Sequence, residues 1–168
     1  KMGGSCPMCR AKIPTSDEEQ LKYLRPQVKK KKAWAQNSMG QMYRDGKGMK
    51  QSYEMAKRLF EQAAQQGYVS AMVNLGVMYH QGLGGEQSYE RAKEYFEQAA
   101  KLGDSESQYN LGLMYVTGQG VAKDTTKAKK WWTASAAQGN ETAIDNLKIL
   151  EKEMKKNMTK TTATKNTK

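Results

Sequence analysis

The sequence lacks most of what would mark an enzyme, a membrane protein or a disulfide scaffold. It has two cysteines, too few for a disulfide framework. They stand together as Cys6-Pro7-Met8-Cys9. A CxxC pair is usually kept as thiols or bound to metal, which points to a reducing compartment, cytoplasmic or nuclear. There is one histidine, His80, far along the chain from both cysteines. No apolar run approaches the roughly 18 residues that a spanning helix needs. No signal-peptide pattern is visible. The chain starts at Lys1 rather than at methionine and reads as a fragment, so a targeting segment could lie upstream. Its apolar fraction, 38%, is below that of an ordinary globular domain. The sequence shows no nucleophile–base pair, no phosphate-binding loop and no recurring pair of carboxylates.

Charge is the first thing present in excess. The net charge is +11, which invites a nucleic-acid reading. Its distribution argues against one. The excess lies in Lys29 to Lys32, in the first 28 residues and in residues 152–168, while residues 33–151 carry 13 basic and 13 acidic side chains. A duplex binder needs its basic surface on the folded body. Tail-mediated binding to nucleic acid is therefore a minor alternative. Lys29 to Lys32 read either as a solvated helix end or hinge, or as a nuclear import signal.

The second feature is a repeat of 36 residues that needs no gap. Asn74-Leu75-Gly76 recurs as Asn110-Leu111-Gly112, and the same step gives Ser38-Met39-Gly40 and Asn146-Leu147-Lys148. Tyr43, Tyr79 and Tyr115 fall in register, as do Gly46, Gly82 and Gly118, and Gly48, Gly84 and Gly120. Ala56, Ala92 and Ala128 follow, then Phe60, Phe96 and Trp132, and each unit closes on Gly67, Gly103 or Gly139.

Each unit reads as two helices. The first carries Ala71, Leu75, Met78 and Tyr79 on one face at helical spacing and stops near Gly82, a residue able to take the left-handed conformation past a helix end. The second starts after Ser52, Ser88 or Asp124, whose side-chain oxygens can accept a free N–H of the first turn. Asp104 and Asn140 are expected to start later first helices in the same way. Gly40, Gly76 and Gly112 lie inside helices, where glycine costs about 1 kcal/mol relative to alanine. Their recurrence implies an offsetting gain from close helix packing. Gly82-Leu83-Gly84-Gly85 joins two helices and lacks the strand that a dinucleotide site requires.

The Leu-Gly-x-x-Tyr run resembles the tetratricopeptide pattern, whose period is about 34. The step from Gly76 to Ala92 is longer than in that pattern, and a glycine replaces the proline near the repeat end. The longer inner Gly-x-Gly loop, as in Gly118-Gln119-Gly120, resembles the Sel1-like repeat. That resemblance implies an all-α fold: a right-handed α-solenoid of antiparallel helix pairs, with about eight helices. It also implies a scaffold for protein partners, since Sel1-like proteins include adaptors for endoplasmic-reticulum degradation and for signalling complexes.

The expected layout is as follows. Residues 1–15 are a zinc-finger remnant and linker. Residues 16–32 form an N-terminal capping helix, with Ser16-Asp17-Glu18-Glu19 as its start and Pro26 kinking it. Residues 33–67, 68–103 and 104–139 are three repeats. Residues 140–156 form a C-terminal capping helix, with Ala143, Leu147 and Leu150 facing inward and Lys148 in place of the packing glycine. Residues 157–168 are a disordered basic tail.

Cys6-Pro7-Met8-Cys9 has three readings: a redox dithiol, half of a zinc site, or two free thiols. The redox reading lacks the preceding strand. Zinc needs four ligands, so the others would lie upstream. The run through Arg10 resembles the C-terminal end of a RING finger. That resemblance implies Zn2+ on Cys6 and Cys9, with Pro7 packing on an E2 enzyme and Arg10 touching E2 and ubiquitin. A full-length protein of this kind would be a ubiquitin ligase whose solenoid holds the target.

One further stripe varies between units. Asn37, Gln41 and Arg44 lie at i, i+4 and i+7 of the first helix, matched by Val73, Val77 and His80 and then by Tyr109, Leu113 and Val116. First helices commonly line the concave side of a solenoid. The stripe either receives a partner peptide or helix or packs against neighbouring helices. Trp131, beside Trp132, reads as half-buried packing. A monomer is expected.

Overall fold

A computed structural model describes residues 16–165, with side chains described through residue 156. Eight helices follow one another: α1 (Asp17–Lys29), α2 (Ala33–Asp45), α3 (Tyr53–Ala64), α4 (Val69–Gln81), α5 (Tyr89–Lys101), α6 (Ser105–Thr117), α7 (Thr125–Ala136) and α8 (Glu141–Lys165). No strand occurs among the described residues. The fold is all-α, as the repeat predicts. The chain divides into two units, Lys1–Gln87 with α1 to α4 and Ser88–Lys168 with α5 to α8. In each unit, consecutive helices pack on one another.

The helix ends form where the local chemistry places them. Ser16, Ser52, Ser88, Asp104 and Asp124 each accept a backbone N–H of the first turn of the helix that follows, and Asn140 does the same for Ala143 at 3.0 Å. These acceptors satisfy donors that a helix cannot satisfy internally. The first helix of each repeat ends on Gly46, Gly82 or Gly118 in the left-handed conformation. Ser52 then donates its N–H to the Tyr43 carbonyl, and Asp124 to that of Tyr115, both at 2.9 Å, closing the inner loop.

The second loop glycine is required by contact as well as by conformation. A Cβ on Gly48 would lie 2.8 Å from Asp17 Cβ, and on Gly120 2.7 Å from Tyr89 Cβ, with φ at +67° and +66°. The loop of each repeat thus rests on the start of an earlier helix.

In the first unit, Leu21, Leu24, Ala35, Met39, Met42 and Leu59 form one buried cluster. Gly40 lets Phe60 approach: a Cβ there would sit 2.6 Å from Phe60 Cε1, and Phe60 is fully buried. In the second unit, Tyr115, Ala128, Trp132, Ala143 and Leu150 form the cluster. Gly112 faces Trp132 in the same way, with the indole edge where a side chain would stand. Burying such a side chain contributes about 1.5–3 kcal/mol. Lys148, at the same register of α8, points to water with 71% of its side chain exposed and pairs with Asp145 at 3.0 Å.

Two features concern the ends of helices. α8 continues to Lys165, nine residues past the expected cap boundary, through the segment expected to be a disordered tail. The physical reason is the absence of any glycine or proline after Asn140, so nothing stops the helix. At the joint of α1 and α2, Lys31 takes φ +55°. Gly67, Gly103 and Gly139 fill that register in the other joints with φ between +80° and +90°.

One column is chemically uneven. Ala35, Ala71, Ser107 and Ala143 share a register, and all four are fully buried. Among the described residues, the Ser107 hydroxyl has no hydrogen-bond partner. A buried hydroxyl without a partner is costly, and alanine is the better helix former. Ser107→Ala should therefore stabilise the chain by about 1 kcal/mol, raising Tm by roughly 2–4 °C in a thermal melt followed by circular dichroism. A lower Tm would mean that the hydroxyl has a partner.

Candidate functional site

In the first unit, the varying stripe is built by α2 and α4. Asn37 is 5% exposed, and Asn74 Nδ2 donates to its Oδ1 at 3.0 Å. Arg44 Nη1 donates to Asn74 Oδ1 at 2.8 Å, while Arg44 Nε pairs with Asp45 at 2.8 Å. Asn74 thus bridges two residues of the preceding first helix and spends both ends of its amide on them. Hydrogen bonding to Arg44, with Lys47 close by, holds the Asp45 carboxyl below its ordinary range. That contribution is complete at neutral pH and fades as pH falls through the lowered value. With 30% of the side chain exposed, solvent screening keeps it small.

Val73 is buried, and Gln41, Val77 and His80 are partly exposed. The His80 carbonyl accepts from Gln87 Nε2 at 2.6 Å. Asn37 and Arg44 therefore tie α2 to α4 through Asn74, and the partly exposed positions of this stripe are Gln41, Arg44, Val77 and His80.

In the second unit, the stripe faces α8. The Tyr109 ring stacks on Trp132 with centroids 6.4 Å apart, and its carbonyl accepts from Trp132 Nε1 at 3.0 Å. Asn146 Nδ2 donates to Tyr109 Oη at 3.4 Å, repeating the α2–α4 bridge with different side chains. Leu113 and Val116 are partly buried against the cluster. Both line a concavity of about 270 Å³, together with Trp132, Leu150 and Ile149. Asn146 and Glu153 give it a polar rim. Ile149 is 58% exposed. Trp131 is half-buried and packs against the same cluster.

Sequence reasoning singled out Leu113 and Val116 but not Ile149, which follows the Lys148 register that ends the repeat pattern. It also missed a polar seam. Gln36 Nε2 donates to Gln62 Oε1 at 3.0 Å, and Gln66 Nε2 donates to Gln36 Oε1 at 2.6 Å. Gln138 Nε2 donates to Gln108 Oε1 at 2.9 Å. The signal was there: Gln36 and Gln66 recur as Gln108 and Gln138, while the middle repeat has Met72 and Leu102 in the same columns.

Pro7, Arg10, Cys6 and Cys9 lie outside the described residues. Among the described residues, no group of three or more His, Cys, Asp or Glu is placed to hold a metal ion. No helix there is long and apolar enough to cross a membrane. The resolved shifts in proton affinity belong to surface pairs and one helix cap. Glu97 raises Lys93, Lys129 lowers Glu151, and the Lys127 N–H lowers Asp124.

These features define an array of helical hairpins repeated at a fixed step. A model of the Sel1 repeat matches residues 35–68, 69–104 and 105–140, and the chain belongs to that family. Among solved structures, a Sel1 repeat protein from Oxalobacter formigenes is similar at TM-score 0.72 and 27% identity, over 78% of this chain and 52% of that one. The c5321 protein, described as a protective antigen of uropathogenic Escherichia coli with an SLR fold, is similar at TM-score 0.72 and 34% identity, over 73% and 26%. Helicobacter pylori cysteine rich protein B shares the fold at TM-score 0.61 and 19% identity, over 78% and 94%. The chain spans about half of the first of these and about a quarter of the second. A search of curated proteins gives no match.

Proposed function

We propose that this chain is a protein-interaction scaffold and that the concavity of its second unit seats the apolar face of a partner peptide or helix. The carrying observation is Ile149, an isoleucine 58% exposed, sharing a concavity with Leu113 and Val116. Apolar anchors inside a polar rim are the usual anatomy of a helix or peptide groove. Membership of the Sel1 repeat family supports the class of function. Gln41, Val77 and His80 of the first unit offer a second, more polar contact stripe.

The test uses peptides selected from a displayed library on the whole chain. They should bind the Leu113→Asp plus Ile149→Asp variant at least about tenfold more weakly, with the circular dichroism spectrum unchanged. Equal affinity for variant and parent would place the contact elsewhere.

A second reading rests on the run Cys6-Pro7-Met8-Cys9-Arg10. With further ligands upstream, Cys6 and Cys9 would complete a Zn2+ site of RING type, Pro7 and Arg10 would meet E2 and ubiquitin, and the repeats would hold the target. The full-length protein should then build ubiquitin chains with an E2 and lose that activity on Cys6→Ala. Equal activity in both would end this reading.

A further inference from the structure

The joint of α1 and α2 forms a concavity of about 670 Å³ that the stripe does not include. Lys29, Lys31, Gln36, Gln62, Gln65 and Gln66 line it, over a floor that includes Val28, and no acidic side chain does.

The polar groups here are ordered from below. Gln36 is 3% exposed and uses both ends of its amide, donating to Gln62 Oε1 and accepting from Gln66 Nε2. Gln66 Nε2 also reaches the Gln62 carbonyl at 3.0 Å. That arrangement fixes Gln62 and Gln66 and leaves the Gln62 amide N–H groups and the Gln66 amide oxygen unpaired among the described residues. Lys29 and Lys31 have no ion-pair partner among them either. α2 begins beside them with no side-chain cap and no acid in its first turn, so the positive end of its dipole is uncompensated.

We infer that this concavity binds an extended acidic segment of a partner protein. Lys29 and Lys31 would meet its carboxylates, and the amides of Gln62, Gln65 and Gln66 would meet its backbone. Two features favour a peptide over a phosphate or a nucleic acid. The site presents amide acceptors as well as donors, and a peptide backbone uses both whereas a bare anion uses donors alone. No aromatic side chain lines it, so bases have nothing to stack on. Lysine acts here as a point charge and amides supply the geometry. The site lies wholly in the first unit and does not depend on the concavity of the second.

Fluorescence anisotropy of the whole chain with a labelled octapeptide alternating Glu and Ser tests the inference. The peptide should bind at about 50 mM salt and more weakly at about 300 mM. Its Gln-for-Glu counterpart should not bind. Lys29→Glu plus Lys31→Glu should weaken binding at least about tenfold, and Gln62→Leu plus Gln65→Leu should weaken it several-fold. The charge-matched control Lys50→Glu plus Lys130→Glu should leave it unchanged, as should Leu113→Asp plus Ile149→Asp. The inference is overturned by absence of binding, by equal binding of the neutral peptide, by equal loss in the charge-matched control, or by an oligothymidylate that binds as tightly and loses affinity in the same Lys29 and Lys31 variant.

Discussion

The structure depends on one steric arrangement: a helix that carries glycine in its middle and a neighbouring helix that lays an aromatic ring against it. Gly40 receives Phe60 and Gly112 receives Trp132, each so closely that a Cβ would overlap the ring. An exposed helix would lose about 1 kcal/mol by keeping glycine there. Here the absent side chain is replaced by a ring that is almost wholly buried. Trp132 also finds a hydrogen-bond partner at the Tyr109 carbonyl, which fixes its depth. In α8 the same register holds Lys148, whose side chain is turned to solvent.

That arrangement sets what the rest of each first helix can do. One face is committed to the aromatic ring, and a second is partly committed to the next first helix through Asn74 in one unit and Asn146 in the other. Partly exposed on these faces are Gln41, Arg44, Val77 and His80 in the first unit, and Leu113 and Val116 beside the exposed Ile149 in the second. The two surfaces differ in chemistry although the backbone repeats.

Most of the fold was legible because it recurs within one chain. The 36-residue step placed the capping serines, the left-handed glycines and the packing glycines Gly40 and Gly112, and these stand where the pattern put them. The site was less legible for a physical reason. Position in a stripe says which residues share a face, not whether a neighbour already occupies it. Asn37 and Tyr109 share a column, yet Asn37 is buried and held by an amide bridge while Tyr109 is half-buried and stacked on a ring. The glutamine seam is a relation between two columns 30 residues apart, visible only when both are compared together. α8 ran beyond its expected end because lysine and threonine do not stop a helix, and nothing after Asn140 does.

A double-mutant cycle on Gly112 and Trp132, measured by chemical unfolding, addresses the glycine–aromatic contact most directly. Gly112→Ala alone should destabilise by about 1–3 kcal/mol, although alanine is intrinsically the better helix former. Combined with Trp132→Leu, which removes the ring, the alanine should cost at least about 1 kcal/mol less than it does alone. If Gly112→Ala stabilises the chain, or if the two changes add without coupling, the close packing of ring on glycine is not what holds these hairpins together.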